Sequence, residues 1–418
     1  MPAICALLTA MTAVEVGHVT PSKTRVQYAN LRSRTRSRLT ASTRVPAVRR
    51  CGERMKRRSL FDVTLLRDNV HYVCSLCDAR YEVELSRVSC DCGGVLDLHF
   101  DAPAWPDLSD SPFGLSRYRG VLPIEEEWLE RADLGASRTP LLKVGTTYAK
   151  CDYITPSGSF KDRGAFMLAA LALGLGAKSV IVDSSGNAGA AMAAYCGRIG
   201  IPCTVVAPAS APPGKLAQSR AYGATVVAVE GPRSAATDAA LAMASDGGFY
   251  ASHVENPFFT EGTKTWAFEV FEQMGDAPAE VVMSVGNGSL FLGVERGFRY
   301  LFDQGLTTRV PRMVAVQAQG WSPLANDVAE DRGAPLADGI AIIAPRRLAQ
   351  IVRAIEVTGG EARTVGSDEI IATTQRLAHE GLWVEPTSAT AWAGAAHGSR
   401  VDGPVVVSLG GAGFKASA

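Results

Sequence analysis

The sequence predicts an α/β protein, a two-lobed parallel-sheet core preceded by a small cysteine-rich, zinc-ribbon-like module. Three observations carry that reading. From residue 179 onward, β-branched runs alternate with Ala- and Gly-rich helical stretches. The strand-to-helix turns at 184–189 and 285–290 are rich in small residues. Four of the nine cysteines fall between residues 74 and 92.

The length of 418 residues allows two or three domains. A hydrophobic share of 47% with 20% charged residues fits a well-packed enzyme-like chain. No charge-free apolar run reaches the ~18 residues that a membrane helix needs, so no membrane partner is expected. The net charge of +0 hides an asymmetry, because residues 1–58 carry thirteen Lys and Arg against two acids. The remaining body is therefore acidic, which argues against nucleic acid as a partner. The other cysteines are scattered without a disulfide pattern, which points to a reducing, cytoplasmic setting.

Residues 1–58 are expected to be a basic disordered leader. They are rich in Arg, Ser and Thr and show no helical or strand period. A transit peptide, a nucleic-acid arm and an over-extended start at Met55 all share this composition. The favoured reading is an over-extended start or a dispensable tail.

Residues 59–104 form the expected cysteine module. Cys74-x2-Cys77 and Cys90-x-Cys92-Gly93-Gly94 are two knuckles that can close a thiolate tetrahedron around zinc. The second knuckle is CxC rather than CxxC, so a metal-free β module remains the alternative. Between the knuckles, Tyr81 to Leu85 alternates like a strand. Residues 101–138 read as an irregular linker with an acidic helix near Glu125 to Ala132.

The core spans 105–418, with a smaller lobe at about 165–260. Ala165 to Ala177 is an apolar helix. Strands follow at Ser179–Asp183, Cys203–Ala207 and Thr225–Val229, with helices at Asn187–Gly200, Gly214–Tyr222 and Ser234–Ser245. A second set has helices Thr263–Met274 and Leu290–Phe302, and strands Glu280–Val285 and Met313–Gln317. Helices Asp368–Glu380 and Thr387–His397 and strand Val405–Leu409 complete it. Such alternation means parallel sheets with right-handed crossovers, and ligands bind where the strand ends point.

The chemistry centres on Pro156-Ser157-Gly158-Ser159-Phe160-Lys161-Asp162-Arg163-Gly164. One lysine stands in a small-residue turn before a buried helix. Burial lowers an amine's pKa and makes it a nucleophile toward aldehydes. Ser184-Ser185-Gly186-Asn187 opens a helix and can bind an anion there, or simply cap it. Gly286-Asn287-Gly288-Ser289 opens another and suits a phosphate, although a plain turn fits as well. Neither the Walker pattern nor the dinucleotide fingerprint is present. A nucleophilic lysine together with a phosphate site implies pyridoxal phosphate. His253 and His379 lack partner patterns and read as surface or satisfied residues, while Cys196 and Cys203 read as core.

Taken together, several stretches resemble the threonine synthase family. That family lies within the fold type II pyridoxal-phosphate enzymes, the tryptophan synthase beta-like superfamily. The stretches are Thr139-Pro140-Leu141, Pro156–Gly164, Ser184–Ala191, Lys215–Gln218, Glu261–Thr265, Val285–Gly288 and Glu385–Ala389. The cysteine module also resembles a ribbon found in one branch of that family. The resemblance implies that Lys161 carries the cofactor as a Schiff base and shuttles the Cα proton. Phe160 would pack near the cofactor and Asn187 would bond its 3′-oxygen. Gly286, Asn287, Gly288 and Ser289 would hold its phosphate. Ser184, Ser185 and Gly186 would surround the substrate carboxylate, while Asp162 and Arg163 would support the turn, with contact to an anionic substrate as the alternative for Arg163. Cys74, Cys77, Cys90 and Cys92 would hold structural zinc. A homodimer acting on a small amino acid is the family expectation.

Three departures stand out. Gly410 replaces the hydroxyl residue that would contact the ring nitrogen, which leaves Ser408 for that role. Ala136-Ser137-Arg138 and Asp338–Ile342 also differ, and both are expected around the substrate. The implied activity is O-phosphohomoserine plus water to threonine plus phosphate. The alternatives are a serine/threonine ammonia-lyase or β-replacement enzyme, and a non-catalytic binding protein with a degenerate core.

Overall fold

The computed structural model describes residues 64–416 apart from 102, 110, 112, 246 and 331–334. The leader expected at 1–58 lies outside the described residues. No helix among the described residues is long and apolar enough to cross a membrane.

The chain opens with strands β1 His71–Cys74, β2 Arg80–Tyr81 and β3 Leu96–His99, an antiparallel sheet in the order β2-β1-β3. The strand expected at 81–85 is shorter than its pattern. Only Tyr72↔Tyr81 and Val73↔Arg80 pair. Beyond them, Val83 and Leu85 turn toward the core while Glu82 and Glu84 stay exposed. Alternation there reports one buried face, not a ladder.

Helix α1, Glu126–Ala132, is the acidic helix expected within the linker. That stretch is anchored rather than loose. The Trp105 ring lies 5.2 Å from Phe268 and 5.8 Å from Phe271.

Next come β4 Leu141–Val144, β5 Thr147–Lys150 and α2 Lys161–Gly174. Then β6 Val180–Val182, α3 Asn187–Ile199, β7 Cys203–Pro208, α4 Pro213–Ala221, β8 Thr225–Val229, α5 Arg233–Ala244 and β9 Phe249–Tyr250 alternate along the chain. Their four strands form a parallel sheet ordered β8-β7-β6-β9.

The rest of the chain is α6 Pro257–Thr263, α7 Thr265–Met274, β10 Glu280–Ser284, α8 Ser289–Asp303, β11 Arg312–Ala318, β12 Trp321–Ser322, β13 Asp327–Val328, α9 Leu348–Val357, β14 Glu361–Val365, α10 Ser367–His379, α11 Pro386–Ala395 and β15 Val405–Ser408. A six-stranded sheet runs β14-β11-β10-β15-β5-β4. All its pairs are parallel except β4 with β5.

Helix α2 is apolar on every side because every side is covered. Residues Ala165 through Ala172 are all fully buried. It packs against α3 and α6, and Gly262 of α6 permits the closest approach. A Cβ at Gly262 would lie 2.1 Å from the Arg163 carbonyl oxygen and 2.8 Å from Met167 Cγ. The backbone oxygen cannot yield as a side chain would. Gly262→Ala should therefore destabilise the protein by about 1–3 kcal/mol, measured by denaturant unfolding.

Candidate active site

A cavity of about 510 Å³ lies between the two parallel sheets. It gathers Phe160, Lys161, Ser184, Ser185, Gly186, Asn187, Gly286, Asn287, Gly288, Ser289 and Ser408. These residues come from separate stretches of chain.

Lys161 is the first residue of α2, and the turn before it is stitched to the end of β15. Phe160 N–H donates to the Gly410 carbonyl at 2.8 Å, and Ala412 N–H donates to the Gly158 carbonyl at 3.0 Å. Ser159 and Gly411 form an isolated antiparallel bridge. The Lys161 Nζ then lies 4.4 Å from the Phe160 ring centroid and 5.5 Å from that of Phe259. Burial between these rings lowers the Lys161 amine to about 8, against a smaller opposing pull from Glu385.

Gly410 and Gly411 explain the missing hydroxyl. A Cβ at Gly410 would come 2.9 Å from Phe160 Cδ1, and one at Gly411 would come 2.2 Å from Glu385 Oε1. Side chains there would displace the ring and the carboxylate. The Glu385 oxygens accept from Asn187 Nδ2, both at 3.1 Å. Burial raises the Glu385 carboxyl to about 7, although Asn187 pulls the other way. Glu385 belonged to a motif quoted above, but no role was expected of it.

Helix α8 begins at Ser289, directly after the glycine loop. The first N–H groups of a helix have no internal acceptor, so they point at whatever anion fills this end of the cavity. Strand β10 feeds the loop, and Val285 N–H is held by the Val316 carbonyl at 2.9 Å.

Arg163 does not line the cavity, which corrects the expectation that it meets substrate. It is fully buried beneath the site. Its Nε and Nη2 donate to Asp152 at 2.7 and 2.8 Å, and its Nη1 and Nη2 to Glu269 at 2.8 and 3.0 Å. Lys150 Nζ joins Glu269 at 2.7 Å. Burial would raise Glu269, but Arg163 and Lys150 hold it down at about 2. Two cations and two carboxylates thus balance with no solvent.

His253 is a second correction. It lines the cavity rather than the surface, whereas His379 is exposed. Burial, then the charges of Lys161 and Arg233, hold its imidazole well below the usual range. Its buried Nδ1 has no partner among the described residues. Cys196 and Cys203 are buried, as core residues should be.

The departures divide. Asp338, Gly339, Ile340 and Ile342 line the cavity, while Ala136, Ser137 and Arg138 do not. Ser137 Oγ instead accepts from Gly114 N–H at 3.0 Å. Sequence reasoning also missed the cations Lys215, Arg233 and Lys415, all of which line the cavity. Lys215 pairs with Asp338, Arg233 donates to the Asp183 carbonyl, and Lys415 donates to Gln218 Oε1 at 2.7 Å. Burial lowers Lys415 to about 8. The visible signal was Lys215 inside a quoted motif; nothing marked Arg233.

Away from the cavity, the sulfurs of Cys74, Cys77, Cys90 and Cys92 lie within 4.8 Å of one another. Cys74–Cys92 and Cys77–Cys90 are each 3.5 Å apart. That is too far for a disulfide at ~2.05 Å. It suits four thiolates around an ion at ~2.3 Å.

Residues 132–411 match the family model described as pyridoxal-phosphate dependent enzyme. Over 347 residues the chain is 33% identical to the threonine synthase of Methanocaldococcus jannaschii, a match that covers 77% of this chain and 85% of that protein. Over 349 residues it is 32% identical to the threonine synthase of Methanosarcina acetivorans, covering 78% and 85%. Among solved structures, the processed form of threonine deaminase isoform 2 from Solanum lycopersicum superposes with a TM-score of 0.56 at 23% identity. The superposition covers 68% of this chain and 84% of that one, and what the two share is the fold.

The buried charge cluster gives a direct test. Arg163→Met leaves two carboxylates facing one lysine without water, and should cost roughly 3–5 kcal/mol in denaturant unfolding. Arg163→Lys should recover only part, because one ammonium cannot replace a fork that grips two carboxylates.

Proposed function

Because the chain belongs to the pyridoxal-phosphate-dependent enzyme family, we propose that it is a lyase of the threonine synthase type, converting O-phosphohomoserine and water to threonine and phosphate. The observation that carries this reading is the charge of the cavity. Among the described residues its lining holds, besides Lys161, the cations Lys215, Arg233 and Lys415 against two acids, Asp338 and Glu385. A neutral hydroxy amino acid needs no such excess, whereas a phosphorylated one does.

The residues present fit pyridoxal phosphate. An amine of lowered pKa and the open end of a fifteen-residue helix share one cavity. Gly286, Asn287, Gly288 and Ser289 are assigned to the cofactor's phosphate, where free N–H groups and the helix dipole favour negative charge. Phe160, Asn187 and Ser408 are assigned to its ring. Bound there, the cofactor supplies an aldehyde that condenses with amines and a ring that accepts the electron pair of a broken Cα–H bond.

Lys161 is assigned to that aldehyde and, once displaced from it, to the proton at substrate Cα. An amine near 8 is partly neutral at neutral pH, so it can both accept and return that proton. Ser184, Ser185 and Gly186 stand at the start of α3, where the helix end favours a carboxylate. Lys215 and Arg233, on α4 and α5, face the cavity from the lobe opposite the α8 loop. They are assigned to the phosphate that leaves. Glu385 holds the Asn187 amide and so fixes which face that residue turns to the ring.

Purified protein should show the visible absorbance of lysine-bound cofactor, and Lys161→Ala should lose it. The same variant should lower turnover by about 10²–10⁴-fold. Phosphate should be released from O-phosphohomoserine. Oxo-acid formation from threonine or serine with no phosphate release would refute the assignment in favour of an ammonia-lyase. Lys215→Met should raise KM for the phosphorylated substrate roughly tenfold, with a smaller change in kcat.

A further inference from the structure

The four-cysteine cluster is joined to the cavity by a continuous run of polar contacts. The second knuckle leads straight into β3, whose Leu96 pairs with Cys74 of β1. One residue on, the Asp97 carboxylate accepts from Arg296 Nη2 at 2.8 Å, Arg347 Nη1 at 3.1 Å and Gln350 Nε2 at 2.6 Å. Burial would raise this carboxyl, but Arg296 and Arg347 hold it below its ordinary value. Arg347 is itself buried. It donates to the Leu96 carbonyl at 2.9 Å on one side, and to the Val254 and Glu255 carbonyls at 2.8 and 3.0 Å on the other.

Those two carbonyls directly follow His253, which lines the cavity. Arg296 lies on α8, the helix whose first residue closes the glycine loop. A second path is apolar, with the Tyr72 ring of β1 set edge-on to Phe258 of α6 at 6.1 Å. The cysteine module therefore grips two elements that carry cavity-lining residues, the segment that follows His253 and helix α8.

We propose that the cysteine cluster is a zinc site that clamps the cofactor cavity through Asp97 and Arg347, so that metal binding and cofactor binding are linked. The ladders are short, two pairs between β1 and β2 and four between β1 and β3, so the register of β3 depends on what its ends are tied to as well as on the core its inner face packs against. Zinc across the two knuckles fixes where β3 begins, and hence where Asp97 meets its arginines. Without zinc, Arg347 loses its β3 partners, and the His253 segment loses the group that ties down two of its carbonyls. Cys77 and Cys92 are exposed, so the ion can exchange with solvent. Linkage requires the effect to run both ways, with bound cofactor tightening zinc binding by the same factor.

This rests on reading the cavity as the cofactor site, so the test has a readout that does not involve the cofactor. Holoenzyme should contain one zinc per chain by elemental analysis. Cys77→Ser should lose it and weaken pyridoxal phosphate binding about tenfold, followed by visible absorbance. Amides of 253–256 should exchange hydrogen faster in that variant. Asp97→Asn should keep its zinc yet show the same weakened binding and faster exchange, with Arg347→Lys as the second variant if the first does not fold. Protein without zinc, or zinc-free protein with unchanged exchange at 253–256, overturns the clamp. Zinc-loaded protein that binds no pyridoxal phosphate fails the cavity reading instead, and the exchange measurement then decides the clamp alone.

Discussion

The site depends on one backbone stitch between residues some 250 positions apart. Phe160 and Gly158 trade hydrogen bonds with Gly410 and Ala412, while Leu409 N–H donates to the Lys150 carbonyl at 2.9 Å. Those bonds set the last strand beside the turn that starts α2. They fix where Lys161 emerges, what covers it and which residues of β15 share its cavity. A buried backbone has little freedom to move, because each broken bond leaves a polar group without water. The Lys161 amine is thus placed by main-chain geometry, and its rotamer only finishes the job.

The same stitch accounts for what first looks like a defect. Gly410 lacks the hydroxyl that related chains would be expected to carry, and with Gly411 it leaves two positions beside the cavity without side chains. The space is taken by the Phe160 ring and the Glu385 carboxylate. Burial raises that carboxyl to about 7, so it can be charged or neutral near physiological pH. Glu385 acts within the cavity through Asn187, and both residues are supplied by helix starts, at α11 and α3.

Much of this is legible in the sequence, for reasons tied to particular residues. The parallel sheets are visible because β6, β7, β8 and β10 are short β-branched runs bounded by turn residues. Strand β14 is not, because Glu-Ala-Arg-Thr-Val interleaves charges that pair with Glu280 and Arg312 in the fold and look like surface in the chain. Helix α9 is missing from the sequence reading although its apolar stripe is clear. Among site residues, Lys161 and the two turns can be found because special chemistry sits in a local pattern. His253 and Arg233 cannot. Each is an ordinary polar residue that only the closure of distant segments turns toward the cavity. Arg163 errs in the other direction, since this motif neighbour of Lys161 turns away from the cavity to two buried carboxylates, Asp152 and Glu269.

The four charges beneath α2 also constrain how this chain can change over generations. Arg163, Lys150, Asp152 and Glu269 belong to four different elements, and each answers for the charge of another. Removing one member leaves an uncompensated ion in a dry interior, while replacing a complete pair by apolar residues of similar volume can be neutral. Drift at these positions must therefore proceed by paired substitution through an unfavourable intermediate. Such a cluster resists single substitution in a way that exposed ion pairs do not.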